Sequence, residues 1–197
     1  MKMILTKAPA LEPVSIARIK AGLDTCTPRD DTLLSCLVTA ARVVLEARTG
    51  LVFLPQTWTL HYDGPWDDAG LALPITPVRK LLSATLHGAA GASVTVKRGR
   101  IRLAANGTGQ RLVFDDVGLK EAGLMEAGRR AAVLEVDVAA GLADRPSDLP
   151  AALRQAVADL AVHWFTSRQT VAFGDQAVAV PEAIARSVAP FATHTLH

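Results

Sequence analysis

The spacing of apolar residues switches near Pro55 and switches back after Gly141, and that double change leaves few architectures open to the chain. From Thr32 to Arg48, Leu34, Leu37, Ala41, Val44 and Leu45 recur at the helical spacing that places side chains on one face. After Pro55, Trp58, Leu60 and Tyr62 alternate with Thr57, Thr59 and His61, the two-residue period of a half-buried strand. Beyond Gly141 the helical spacing returns in Leu153, Val157, Leu160 and Trp164. Helices at both ends with strands between them read as an α+β fold, in which a helical bundle made from the two ends carries an inserted antiparallel β module.

Local signals set the boundaries. Ser15 can cap a short helix through Leu23, the turn from Thr27 to Asp31 can cap the longer one, and Gly50 supplies its stop. In ADRPSDLP, Asp148 lies near a helix start and Pro150 falls in the first turn, so a third helix follows to about Thr170. VAFGDQAVAV reads as extended, and Pro181 opens a last short helix with Ile184, Val188 and Phe191 in line until Pro190 limits it.

Strand alternation recurs at Leu82, Ala84 and Leu86, at Val94 and Val96, and at Leu134, Val136 and Val138, so about six short strands are expected. Turn clusters separate them at Asp63-Gly64-Pro65, Gly88 to Gly91 and Asn106-Gly107. The stretch from Val117 to Arg130 fits either a short helix or a loop. These elements divide the chain into a bundle of residues 1–54 and 146–197 and a β module of residues 55–145. The expected central contact buries Trp164 among Leu37, Val44, Leu153 and Leu160, and at such a site Trp164→Ala costs about 3 to 5 kcal/mol.

Composition narrows the function classes. The chain has 197 residues, enough for a true core without metal or disulfide staples. Aromatics are only 5% of it, which favours close packing of small side chains. A formal charge of +2 gives no global case for nucleic acid or membrane as the main partner. Cys26 and Cys36 have neither CxxC nor zinc-site spacing, which fits a reducing compartment. MKMILTKAPALEP reads as neither a signal peptide nor a membrane span, so a protein made in the cytosol, with no membrane partner, is expected.

No residue set announces a reaction. Asp159 and His163 share a helix face but lack a third ligand, so they read as ordinary helical residues with no metal. Glu135 and Asp137 share a strand face, and alternation explains them as its solvated side. There is no GxGxxG or Walker loop, no GxSxG elbow and no Cys-His arrangement, so neither an enzyme nor a cofactor is expected. Arg98, Arg100 and Arg102 fall at a two-residue period beside Lys97, which fits a basic strand edge that resists aggregation or a hairpin that meets phosphate. Val178, Val180, Ile184, Val188 and Phe191 form an apolar C-terminal series that must either fold back on its own bundle or dock on a neighbour.

Nearly end to end, the chain resembles the head-tail connector, or adaptor, proteins of long-tailed phages and phage-derived gene transfer agents. The residues that carry the resemblance are EPVSIARIKAGL from Glu12, LLSCLVTAARVVLEARTG from Leu33, QTWTLHYDG from Gln56, LPITPVRKLLSATLHG from Leu73 and LPAALRQAVADLAVHWFTSRQTV from Leu149. They match, in order, a Glu-Pro-Val start, an alanine-rich helix ending in Thr-Gly, a Gln-Thr-Trp strand, a proline-rich entry to the next strand and a His-Trp-aromatic helix closing with arginine. Val117 to Arg130 departs from the plainer loop usual there. The resemblance implies a non-enzymatic virion subunit, about twelve to a ring, assembled in the host cytoplasm and seated beneath the portal at the head-tail junction. Its far face would meet the next neck or stopper protein. It further implies a portal-binding arm at Val178, Val180, Ile184, Val188 and Phe191, and transient contact of Arg98, Arg100 or Arg102 with DNA passing through the lumen. The alternative is a nucleic-acid-binding module built on the Arg98–Arg102 hairpin.

Overall fold

The computed structural model describes residues 1–23, 27–63, 70–87, 93–106, 109–114, 133–167 and 180–192. It is an α+β fold in two compact units. One unit draws on Met1–Pro9 and Pro55–Leu142, the other on Ala10–Leu54 and Ala143–Ala192.

The helical unit holds α1 (Ile16–Lys20), α2 (Asp31–Thr49), α3 (Ala151–Ser167) and α4 (Glu182–Val188). Ser15 caps α1 by accepting a hydrogen bond from the Arg18 amide at 3.3 Å. Gly50 ends α2 in the left-handed conformation, φ 71°, that side chains disfavour. Pro150 does not sit inside the first turn of α3. It precedes the helix, and its carbonyl accepts from the amides of Leu153 and Arg154. The core joins Leu34, Val38, Ala41 and Leu45 of α2 to Leu153, Val157, Leu160 and Ala161 of α3, with Phe53 and Leu149 closing it.

One polar cluster enters this unit. Arg42, with a side chain 3% exposed, donates from Nε to Glu12 at 2.8 Å and from Nη1 to Glu46 at 2.7 Å. Thr39 donates to Glu12 at 2.9 Å, and the Phe53 amide donates to Glu46 at 2.7 Å. Burial alone would lower the Arg42 pKa, but the hydrogen bond to Glu12 and the charges of Glu46 and Glu12 outweigh it, and the pKa rises. The guanidinium thus ties the segment before α1 to two turns of α2 and to the chain leaving that helix.

The β unit contains eight strands among the described residues: β1 (Lys2–Lys7), β2 (Gln56–Asp63), β3 (Leu71–Ala72), β4 (Val78–His87), β5 (Ser93–Thr95), β6 (Ile101–Asn106), β7 (Gly109–Phe114) and β8 (Val133–Ala140). They form a five-stranded sheet, order β1-β2-β8-β4-β5, and a three-stranded sheet, order β3-β7-β6, with every pair antiparallel. The central strand is β8, where Leu134, Val136 and Val138 are fully buried and Glu135 and Asp137 point to the other face. Gln110 links the sheets by imitating a strand backbone: Oε1 accepts from the Val78 amide at 2.5 Å and Nε2 donates to the Val78 carbonyl at 2.9 Å. The Tyr62 hydroxyl donates to the Ala72 carbonyl at 2.9 Å, and burial pushes its pKa well up. Gly70 has φ 84°, and a Cβ there would lie 2.4 Å from the Leu112 carbonyl oxygen, which fixes glycine at the entry to β3.

Two strand expectations change. Residues 2–7, grouped by sequence with the helical end, form an edge strand that pairs Lys2 with His61 and Leu5 with Trp58. The run is exposed throughout, so it carries no buried alternation to betray a strand. Val94 and Val96 do not share a buried strand face: Val94 is exposed on β5, whereas Val96 is buried just past its end, its amide donating to the Ala84 carbonyl at 2.8 Å.

Candidate interaction surfaces

The polar face of the five-stranded sheet accounts for the acidic residues of β8. Asp137 accepts from Thr59 on β2 at 2.5 Å and from Ser83 on β4 at 2.6 Å. Glu135 lies 3.8 Å from His61 and 3.6 Å from His87, again on the two flanking strands. These contacts tie three strands side to side. On α3, Asp159 accepts from Gln155 at 2.7 Å, while His163 faces Ser167 at 3.5 Å. Among the described residues no group of three His, Cys, Asp or Glu is placed to hold a metal ion, and no helix is long and apolar enough to cross a membrane.

The arginine series is not a strand edge. Arg98–Arg100 form a 3-10 turn closed by the Arg100 amide on the Lys97 carbonyl at 2.9 Å, and only Arg102 belongs to a strand, where it is exposed on β6. The two-residue spacing is broken at Gly99, and the three positions do not share one extended face.

The C-terminal series is likewise divided. Ile184 and Val188 are buried in the core of their own helical unit, at 9% and 1% exposure, and Val180 and Phe191 pack partly buried against it. Folding back therefore accounts for the described members of the stripe, and Ile184 and Val188 are taken up by the core. Val178 lies outside the described residues, as do the stretch Val117 to Arg130, Arg168 and Cys26.

The expected central contact also moves. Leu153 and Leu160 are fully buried, whereas Trp164, Leu37 and Val44 are only partly buried and flank the core. Val38 occupies the place in the α2 seam that spacing had given to Leu37. Trp164 packs only partly buried against this core instead of filling its centre.

Two surface features lack a strong sequence signal. Met3, Ile4 and Leu5 on the β1 edge are each about 40% exposed, with nothing in their order to separate them from an irregular tail. In the helical unit, Leu11, Val14, Ile16 and Val38 line a groove of about 510 Å³ that is edged by Arg18 and Arg154. Its residues come from three separated segments, so only the folded chain brings them together.

No family model matches the chain. No curated protein matches it either. Solved structures do. A chain described as belonging to the virion of a native gene transfer agent particle aligns at TM-score 0.70 and 23% identity, covering 98% of this chain and 96% of that one. A chain from the neck of an empty gene transfer agent particle computed with C6 symmetry aligns at TM-score 0.71 and 22% identity, over 98% and 96%. A third, from the neck of a native particle computed with C12 symmetry, aligns at 0.66 and 23%, over 96% and 95%. Across nearly its whole length, the chain shares its fold with chains of gene transfer agent necks.

Proposed function

We propose that the protein is a structural neck subunit that joins the capsid vertex of a phage or gene transfer agent particle to its tail and makes or breaks no bonds. The observation that carries this reading is the fold shared over 98% of the chain with gene transfer agent neck chains, since a match of that extent covers both units. The polar clusters described above agree with it: Asp137 ties neighbouring strands, and Arg42 ties Glu12 to α2, each within its own unit.

On this reading the subunits form a closed ring of about twelve copies, docked beneath the portal at the head-tail junction, with its far side against the next neck or stopper protein. The ring assembles in the host cytoplasm, and packaged DNA passes through its lumen. Symmetry applied to the neck of a chain with this fold supports the ring. Portal contact through the C-terminal segment falls to residues other than Ile184 and Val188, which the core occupies. Arg102, exposed on β6, is a candidate from the basic series for transient contact with DNA. A dedicated nucleic-acid module finds less support, because its three arginines do not share a strand.

Deleting the gene tests the proposal in the particle. The expected outcome is filled heads and free tails, counted by electron microscopy, with joining restored when the intact chain is supplied in trans. Joined particles that deliver DNA without the protein would refute it.

A further inference from the structure

The groove of the helical unit joins an apolar floor to positive charge that the fold leaves unmatched. Leu11, Val14, Ile16 and Val38 line it, and Arg18 and Arg154 stand at its edge. The third charged residue in its wall, Glu12, is already matched by Arg42 at 2.8 Å. Arg18 donates from Nη2 to a neutral acceptor, Oε1 of Gln155, at 3.2 Å. Arg154 is the sharper case, because its Nε is buried without a hydrogen-bond partner. Buried donors are almost always bonded, and leaving one open costs more than a typical hydrogen bond returns. The group that best answers a guanidinium in such a place is a carboxylate, which accepts from two of its N–H groups side by side.

The described carboxylates of this chain are engaged elsewhere. Asp31 and Glu182 pair with Lys20 and Arg186, Glu46 pairs with Arg42, and Asp148 and Asp159 accept hydrogen bonds from Ser147 and Gln155. The charge therefore points to a carboxylate of another protein. Size and lining narrow the occupant further. About 510 Å³ holds a few side chains and not a folded surface. No aromatic residue lines the groove for a base to stack on, and its apolar floor offers nothing to a phosphate backbone. The wall from Leu11 to Val14 makes no backbone–backbone hydrogen bond with another described residue, so the fold does not use the main-chain groups that an incoming peptide would need.

We propose that this groove takes a short peptide segment of an adjoining neck protein, an Asp or Glu flanked by apolar residues. Its carboxylate meets Arg154 and Arg18, and its apolar side chains lie on Leu11, Val14, Ile16 and Val38. The inference rests on the neck reading only for where that protein is met.

Two measurements test it. With the intact chain, the methyl signals of Val14, Ile16 and Val38 are followed by NMR as the blocked peptide acetyl-Leu-Glu-Leu-Asp-Leu-amide is added. This peptide should bind about tenfold or more tightly than its Gln and Asn counterpart, and Arg18→Gln with Arg154→Gln should erase the difference at an unchanged melting temperature. Equal binding of the two peptides, or no shift from either, overturns the proposal. In assembled particles, p-benzoylphenylalanine in place of Ser147, an exposed residue of the groove, should on irradiation form adducts with a carboxylate-bearing segment of another protein. Adducts with a second copy of this chain, with DNA or with a segment lacking a carboxylate would overturn it, as would no adduct at all. If the chain is missing from the particle neck, the neck reading fails, while the peptide titration still decides the groove.

Discussion

Arg42→Ala is expected to cost about 3 kcal/mol of folding stability, read as a fall in the urea midpoint with an unchanged slope. Breaking a buried ion pair leaves charges without a partner in a site that water reaches poorly, and here one guanidinium serves two carboxylates. Glu46, with a side chain 10% exposed, keeps the Phe53 amide but loses its cation. Glu12 is 27% exposed and recovers part of its hydration, which holds the expected loss to the lower end of the range for buried pairs. Adding Glu46→Gln to Arg42→Ala should return part of the loss, because it removes the less hydrated of the stranded charges. If the double variant is as unstable as the two single losses added together, the cluster acts through packing of the Arg42 stem and not through charge.

Leu153→Ala is expected to cost about 3 to 4 kcal/mol, while Trp164→Ala costs about 1 to 2 despite removing more atoms. Leu153 is fully enclosed between α2 and α3, so its truncation leaves a cavity that neighbours on two helices cannot close. Trp164 packs only partly buried against the same core, and water can take the place of the lost ring. Equal losses for the two variants would mean that the indole lies at the centre of the core, contrary to the packing described.

What the sequence reveals follows the range of the interaction behind each feature. The boundaries of α2 rest on Gly50 and on the turn around Asp31, within one helical turn of the ends they set, and both are legible. The inward face of β8 is legible because Leu134, Val136 and Val138 alternate strictly with Glu135 and Asp137. The phase of α2 is not, because the helix is apolar on two sides. Spacing alone then cannot tell Leu37 and Val44 from Val38, and only the position of α3 decides which line faces inward. Strand β1 is hidden for the opposite reason: with neither face buried, its residues show no period, and pairing with β2 some fifty positions along the chain defines it. The arginine series shows how three residues can match a strand period by coincidence when two of them lie in a 3-10 turn. The C-terminal stripe signals that something covers Ile184 and Val188, and the folded chain supplies its own bundle as that cover.

The proposed role depends most on self-assembly at the vertex, and mass measurement of the intact chain, alone and mixed with the portal protein, tests it directly. The expected result is a single subunit in isolation and, with portal present, one closed complex that holds a fixed set of about twelve copies. A chain that ignores portal, or that binds it in variable number without closing, would contradict it.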